Sequence, residues 1–302
     1  MDLTHPRALP IVKEIVRKSD VLVENFSPDV LPRLGLDYAS ISSFAPRLVM
    51  VSMAGAGQYG PLREIRTYAS TVTALAGMDS LMGYEGDRVI GTTGVSWADP
   101  NASLFAVHAI LTALWHREET GQGQHIDLAQ LETTAVLLAE ATLEYTMNGR
   151  VPGRQGNRHP TMAPHGSYRC AGDDDWIAIA VETEAEWQAL CRVMGEPAWA
   201  TDERFADRYL RLRHREELDR LLNEWTGAQR ADELAERLQA AGVAATPHLN
   251  IGQQFGHPHF QERGLYTNVE HPLAGAASVS FIEQVLDNLR SAGVRIVPLD
   301  VR

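Results

Sequence analysis

The sequence predicts an α/β protein with a large first domain on a parallel sheet and a smaller second α/β domain. Two observations favour this. Short apolar runs alternate with amphipathic stretches over the first 150 residues, as strands and helices do in an α/β layer. Residues 149–166 then contain four Gly and three Pro, which is typical of a connector. The predicted parts are 1–150 for the large domain, 151–166 for the linker, 167–272 for the small domain and 273–302 for a C-terminal segment.

Each element of the first domain follows from the spacing of its apolar residues. Residues 6–18 carry apolar side chains at helical spacing, which predicts an amphipathic helix. Residues 20–24 indicate a short apolar strand and residues 48–53 a buried strand, and such strands pair in parallel in an α/β layer. The remaining predicted elements are a short helix ending near Gly35, helices at 38–44 and 68–77, a strand at 124–128 and a long helix from 129 to about 147.

One predicted helix has an acidic residue at its start. Apolar residues recur at three- and four-residue intervals from Leu104 to Trp115, and Pro100 suits a first helical position, so Asp99 is predicted to be the N-cap. An N-cap aspartate stabilises its helix by about 1 kcal/mol. The same placement suits a nucleophile, because a helix N-terminus favours an ionised carboxylate and its free N–H groups can bind an oxyanion. The residues alone leave both roles open.

The second domain opens with a predicted hairpin. Its turn lies around 172–175 and leads into an apolar strand at 176–181. The pattern then predicts a helix at 183–194, charged helices up to about 240, a short helix at 281–291 and a strand at 294–297.

Composition bounds the function classes. The 302 residues are 44% hydrophobic, enough for buried cores, and the net charge of −12 disfavours nucleic acid and anionic membranes as partners. No apolar run approaches the roughly 20 residues that span a bilayer, and no secretory signal pattern is found, so a cytoplasmic protein is predicted. Cys170 and Cys191 lack Cys-x-x-Cys spacing and are predicted to be reduced thiols. The eleven histidines show no metal-ligand spacing, so no metal site is predicted.

A glycine-rich loop follows the second strand. Its three glycines at 55–60 fit the dinucleotide-binding spacing G-x-G-x-x-G. However, Pro61 follows the third glycine, and Asp79, about 20 residues further on as the motif requires, does not close a strand. A nicotinamide enzyme is therefore disfavoured, although such a loop still allows a ligand to approach the backbone closely.

Several segments, in order along the chain, resemble class III CoA-transferases, the CaiB/BaiF group that includes formyl-CoA transferase. Residues 21–36 (VLVENFSPDVLPRLGL) are similar to that family's VVENFRPGVLERLGL. Residues 52–61 (SMAGAGQYGP) are similar to SGFGQTGP, and residues 114–127 (LWHREETGQGQHID) to LHRERTGRGQHVDV. GNRHP at 156–160 and DERF at 202–205 recur in the expected order. The resemblance covers residues 1–272.

The resemblance implies a Rossmann-like large domain, an interlocked dimer and a nucleophilic role for Asp99. In the implied reaction, this carboxylate attacks an acyl-CoA thioester and forms a mixed anhydride. The CoA thiolate then attacks the aspartyl carbonyl to give an enzyme–CoA thioester, and an acceptor acid reverses these steps. Coenzyme A is a substrate, and neither a metal nor a tightly bound cofactor is implied. The implied partners are an acyl-CoA, a small carboxylic acid, and a second copy of the chain or a related subunit.

The resemblance also assigns residues to coenzyme A binding. Asn25, Phe26 and Ser27 match a strand-end segment that touches CoA, and Arg33 matches a basic residue near its phosphates. Arg66 and Tyr68 match a Lys-x-Tyr contact with the coenzyme. A guanidinium pairs well with phosphate, which would offset the negative net charge locally.

Departures from the family pattern keep other functions open. Related 2-methylacyl-CoA racemases pair the aspartate with a histidine near this tyrosine, but residues 66–69 read Arg-Thr-Tyr-Ala, so racemisation is disfavoured. Family members usually begin with a strand–helix unit that completes the nucleotide-binding domain, and the resemblance predicts that this chain starts after it. A non-catalytic or partner-dependent subunit, or a fragment of a longer CoA-transferase, is therefore the alternative hypothesis.

Overall fold

The computed structural model describes residues 3, 5, 7–92, 97–271 and 275–280. The chain divides into two compact units, Met1–Gly156 and Asn157–Arg302. The predicted helix at 281–291 and strand at 294–297 lie outside the described residues.

The first unit alternates helices with the strands of a parallel sheet. Its elements are α1 (Ala8–Arg17), β1 (Val21–Glu24), α2 (Val30–Arg33), α3 (Tyr38–Ser42), β2 (Val49–Ser52), α4 (Ala69–Leu75), α5 (Met78–Leu81), α6 (Ala98–Thr120), β3 (His125–Asp127), α7 (Gln130–Val136) and α8 (Ala139–Asn148). The strand order is β1-β2-β3, and both pairings are parallel. The predicted α/β class and parallel sheet are confirmed.

The central strand β2 is buried along its whole length, between two apolar clusters. Successive side chains of a strand point to opposite faces. Met50 accordingly packs with residues of α1 to α3, and Val51 packs with Ala102 and Ala106 of α6. The small alanine side chains let α6 lie close to the sheet. This packing fixes the start of α6 relative to the strand ends.

The predicted long helix from 129 to 147 is wrong, because the chain forms the two helices α7 and α8. The backbone N–H groups of Leu137 and Leu138 bond to carbonyls three residues back, at 3.1 and 3.0 Å, which ends α7 in a tightened turn. The Thr134 hydroxyl donates to the Gln130 carbonyl oxygen at 2.8 Å. Such bonds to the preceding turn compete with helical bonding and bend helices. Neither Gly nor Pro lies between α7 and α8, and the apolar spacing continues across the break. The sequence pattern therefore predicted one helix where there are two.

The second unit contains antiparallel strands and short helices. The chain order is β4 (His165–Arg169), β5 (Trp176–Ala180), α9 (Glu184–Val193), α10 (Arg208–Arg213), α11 (Arg215–Thr226), α12 (Ala231–Ala240), β6 (Ala244–Pro247), α13 (Ile251–Gly256), α14 (Pro258–Glu262), β7 (Tyr266–His271) and β8 (Gly275–Ser280), with two 3-10 turns at Ala198–Thr201 and Glu203–Phe205. One sheet has the order β4-β5-β6, and β7 pairs with β8. The predicted hairpin is the β4–β5 pair.

The core of the second unit encloses an arginine. Arg211 has no solvent-exposed surface, and its guanidinium lies 4.8 Å from the centre of the Trp187 ring. Two of its nitrogens donate to the two carboxylate oxygens of Glu184, at 2.6 and 3.0 Å. The same guanidinium donates to the carbonyls of Ala163 and Phe205, both at 3.1 Å. One side chain therefore joins α10 to three other segments of this unit.

The Glu184 carboxylate makes the second unit sensitive to acid. The hydrogen bond from Arg211 is the main reason why the pKa of Glu184 is lowered from 4.5. Because the folded-state pKa lies below that of the unfolded chain, the pair stabilises the fold fully above pH 4.5, and the stabilisation is lost as pH falls through the folded-state value. We expect the free energy of unfolding to fall less between about pH 5 and pH 3 in Glu184→Gln than in the wild type.

Denaturant unfolding at several pH values measures this difference. Glu236→Gln, at an exposed position of α12, is the matched control and is expected to follow the wild type. Identical acid dependence in wild type and Glu184→Gln would contradict the role given to this pair.

Candidate active site

The carboxyl ends of the three parallel strands share one edge of the sheet. Backbone bonds join the segments that follow them: Met53 N–H donates to the Glu24 carbonyl at 2.8 Å, and Leu128 N–H donates to the Ser52 carbonyl at 2.9 Å. Gln130 N–H donates to the Ala54 carbonyl at 3.1 Å. In α/β sheets, ligands bind outside the carboxyl ends of the strands. We therefore expect reactive side chains at this edge of the sheet.

Asp99 lies in the first turn of α6, but it is not the N-cap. Trp97 precedes the helix with helical dihedral angles, and α6 begins at Ala98, which makes Asp99 the second helical residue. The N-cap prediction is therefore wrong by two positions. The prediction took Pro100 as the first helical residue. Proline fits at several positions of the first turn, because the first N–H groups of a helix have no intrahelical acceptor. The carboxylate still lies at the positive end of the helix dipole.

The Asp99 carboxylate is exposed and contacts α7. Gln130 Nε2 donates a hydrogen bond to Asp99 Oδ1 at 3.0 Å. A second bond between the two helices lies nearby, since Asn101 Nδ2 donates to the Thr133 carbonyl at 2.6 Å. An accessible carboxylate beside an amide donor is an arrangement that can attack a carbonyl and bind the charge that results. Sequence reasoning missed Gln130, although its position three residues after β3 places it at the strand-end edge.

The glycine-rich loop is tied to the end of β3. The backbone N–H of Gln58 donates to both carboxylate oxygens of Asp127, at 3.0 and 3.2 Å. Gly57 has a φ of +84°, a left-handed conformation that favours glycine. In this described segment the third glycine does not open a helix, since α4 begins only at Ala69. The loop therefore lacks the helix N-terminus that a dinucleotide-binding motif places at a pyrophosphate.

The structure places Asn25, Phe26 and Ser27 directly after β1, at the same sheet edge. All three are exposed, and Phe26 N–H donates to Glu24 Oε2 at 2.9 Å. Arg33, at the end of α2, is also exposed, and its Nε donates to the Asp29 carbonyl at 2.9 Å. These four side chains are open to a ligand.

Arg66 and Tyr68 lie in the segment before α4. Both are exposed, Tyr68 by 86%. Thr67 between them packs on the glycine-rich loop so closely that a Cβ atom added at Gly55 would lie 2.3 Å from Thr67 Oγ1. Arg63, which sequence analysis did not single out, pairs with Asp29 and so links this segment to the start of α2. In the sequence, the only feature that could have pointed to Arg63 is its position three residues before Arg66.

The two cysteines of the second unit are poor nucleophiles. Burial raises the pKa of the Cys170 and Cys191 thiols to about 11, which keeps both protonated near neutral pH.

No group of three or more His, Cys, Asp or Glu side chains is placed to hold a metal ion in the part of the chain that is described. Among the described helices, none is long and apolar enough to cross a membrane.

The outer face of α6 is apolar and exposed. Leu104, Leu111 and Trp115 recur at helical spacing and are 71%, 62% and 74% exposed. The opposite face carries the buried alanines that pack on the sheet. Large exposed apolar surfaces are rare on monomeric proteins and mark interaction sites.

Comparisons with known proteins agree on one family. Residues 1–292 match CoA-transferase family III. The chain is 34% identical over 269 residues to succinate–glutarate CoA-transferase of Agrobacterium fabrum, covering 89% of this chain and 66% of that protein. It is 32% identical over 270 residues to the alpha subunit of succinyl-CoA–L-malate CoA-transferase of Chloroflexus aurantiacus, covering 89% of this chain and 63% of that subunit. The chain thus spans about two thirds of the length of these curated relatives.

The fold is also similar to a solved structure. A CaiB/BaiF family protein from Brucella suis superposes with a TM-score of 0.82 at 31% sequence identity. The match covers 96% of this chain and 80% of that chain.

Proposed function

Because the chain belongs to CoA-transferase family III, we propose that it moves coenzyme A between an acyl-CoA thioester and a carboxylic acid through covalent intermediates on Asp99. One oxygen of the Asp99 carboxylate attacks the thioester carbonyl, the C–S bond breaks, and a mixed anhydride and CoA thiolate result. The thiolate sulfur then bonds to the aspartyl carbonyl carbon, and the donor acid leaves as a carboxylate. An acceptor carboxylate reverses both steps, so thioester is exchanged for thioester without a metal or redox cofactor.

A single observation carries this proposal: an exposed carboxylate in the first turn of α6 receives an amide hydrogen bond at the strand-end edge of the parallel sheet. The positive end of the helix favours negative charge on the side chain and on the oxyanions that form beside it. The two cysteines, being buried and protonated, offer no competing nucleophile in the described residues. The alternative of a non-catalytic or partner-dependent subunit predicts that Asp99 never becomes acylated.

Intact-mass analysis separates these two functions. The purified chain is mixed with succinyl-CoA and trapped with hydroxylamine or borohydride, and the modified peptide is mapped. A modification on Asp99 supports the covalent transferase. An unmodified, folded chain supports the partner-dependent subunit.

Coenzyme A binding is assigned to the strand-end edge of the predicted large domain, residues 1–150. The exposed side chains after β1 and before α4 supply the contacts, with Arg33 and Arg66 paired to phosphates. Guanidinium groups bind phosphate through parallel N–H bonds, which suits a negatively charged protein that must hold an anion. Tyr68, two residues after Arg66, offers an exposed aromatic ring.

The contact between Gly55 and Thr67 tests this assignment. In Gly55→Ala the new methyl group meets Thr67 Oγ1, and Gly55 itself is held because its carbonyl accepts from Leu131 N–H at 2.9 Å. The Thr67 side chain must therefore move, and we propose that the segment from Arg66 to Tyr68 moves with it. We expect coenzyme A to bind about tenfold more weakly, a change of about 1.4 kcal/mol, in isothermal titration calorimetry.

Removing the obstructing atom should restore binding. In Gly55→Ala combined with Thr67→Ala, the nearest remaining Thr67 atom position is the Cβ at 3.5 Å, an ordinary contact distance. Thr67→Ala alone is the control. Equal affinity of the wild type and Gly55→Ala would contradict the expected shift of this segment within a coenzyme A site.

The acids are assigned by class. The relatives named above act, by their names, on succinate, glutarate and malate, all small dicarboxylic acids. Succinyl-CoA with glutarate or malate is therefore the first substrate set for this chain.

The assembly proposed is a pair of CoA-transferase chains, with the apolar face of α6 covered by a second copy. A related subunit is the other occupant, since one relative is named as an alpha subunit. The molar mass of the purified chain, measured by light scattering, distinguishes a homodimer from a monomer that needs a different partner.

A further inference from the structure

Gln130 is held in place by its own backbone. Its N–H donates to the Ala54 carbonyl at 3.1 Å, and its carbonyl accepts the hydroxyls of Thr133 and Thr134 at 3.0 and 2.8 Å. The next residue is tied as well, because Leu131 N–H donates to the Gly55 carbonyl. The amide that reaches Asp99 therefore extends from a fixed point at the start of α7.

From this geometry we propose that Gln130 is a catalytic residue, whose Nε2–H group binds Asp99 Oδ1 and stabilises the oxyanion that forms on that atom during coenzyme A transfer. The inference rests on the proposed function and deepens it. In this proposal the oxygen that Gln130 binds, Oδ1, remains the carbonyl oxygen of the aspartyl group, and the other oxygen forms the anhydride bond.

The second chemical step then needs the same donor. When the CoA sulfur bonds to the aspartyl carbonyl carbon, the π electron pair of that carbonyl moves to Oδ1, which becomes negatively charged. The pair returns as the bond to the anhydride oxygen breaks and the donor acid leaves. Gln130 transfers no proton in either direction. A preorganised amide donor binds the charged intermediate more strongly than the neutral carbonyl, which is how an oxyanion site accelerates acyl transfer.

A purely structural role explains the contact less well. The helices α6 and α7 are already joined by the bond from Asn101 Nδ2 to the Thr133 carbonyl. The Gln130 backbone is fixed by bonds that do not involve its side chain. Loss of the amide group therefore leaves the helix contact intact and removes only the donor to the nucleophile.

Gln130→Met tests the inference, because methionine keeps the length of the side chain and its helix propensity but has no N–H donor. Gln188→Met, at an exposed position of α9, is the matched control for the same chemical change. The rate of enzyme–CoA thioester formation is followed by intact mass after rapid mixing with succinyl-CoA. We expect a decrease of about 10²-fold in Gln130→Met, with KM for succinyl-CoA and the melting temperature unchanged and Gln188→Met like the wild type.

The outcomes separate the inference from the function on which it rests. An adduct that forms in the wild type and in Gln130→Met at the same rate overturns the role of Gln130 and leaves the transferase standing. A slower rate that comes with a raised KM or a lower melting temperature also overturns it, because the effect is then one of binding or folding. A wild-type chain that forms no adduct overturns the proposed function and this inference together.

Discussion

Asp99→Asn is expected to abolish coenzyme A transfer while the first unit stays folded. An asparagine amide cannot attack a thioester carbonyl as a carboxylate does, so the rate should fall by a factor on the order of 10⁴ or more, the scale seen when a catalytic nucleophile is removed. Asparagine keeps the size of the side chain at the second position of α6. The lost charge–dipole interaction costs about 0.3–1 kcal/mol, a small part of the stability of a domain.

Transfer from succinyl-CoA to glutarate, followed by chromatography of the CoA thioesters, measures the first effect, and thermal unfolding measures the second. Asp87→Asn, at an exposed position in the same unit, is the matched control. Substantial transfer by Asp99→Asn would exclude this residue as the nucleophile. An unfolded variant would instead assign Asp99 to the stability of α6.

Arg211→Leu is expected to lower the stability of the second unit by about 3 kcal/mol, which is a large effect for one side chain. The carbonyls of Ala163 and Phe205 would lose their donor inside the core, and each buried group left unpaired costs about 1–3 kcal/mol. Glu184 is 52% exposed and stays solvated when its partner is removed, so the estimate lies at the lower end of the range for broken buried pairs.

Denaturant unfolding followed by tryptophan fluorescence reports on this unit, because four of the six tryptophans lie in it. Arg213→Leu, at an exposed position on the same helix, is the matched control and should change the free energy of unfolding by less than about 0.5 kcal/mol. Equal stability of the two variants would contradict the role of Arg211 in the core.

Apolar spacing predicted the helices that bury one face and the strands that are apolar along their length. The strands β1 and β2 and the helix α6 were found because their apolar residues are dense and regular. The strand β6 was missed, since Ala-Ala-Thr-Pro contains neither an apolar run nor a β-branched alternation. Strand pairing gives such a segment its structure, and pairing is set by residues far away in sequence.

The candidate site was predicted in part for a similar reason. A carboxylate at the start of a long apolar helix is visible in one segment, so Asp99 could be proposed from the sequence. Its partner Gln130 lies 31 residues further on, and only the packing of α7 against α6 brings the two together. Arg211 illustrates the same limit, because its helix Arg-Tyr-Leu-Arg-Leu-Arg is typical of a solvated basic surface, yet this one guanidinium is enclosed.

The enclosed guanidinium also bears on how long the second unit persists in its native state. Its partners range from Phe205, 6 residues away, to Ala163, 48 residues away, so its full set of bonds cannot form until those segments have come together. Bonds that form after the rate-limiting step of folding slow unfolding and leave the folding rate nearly unchanged. We therefore expect Arg211 to lengthen the lifetime of the assembled unit, so that Arg211→Leu speeds unfolding more than it slows folding.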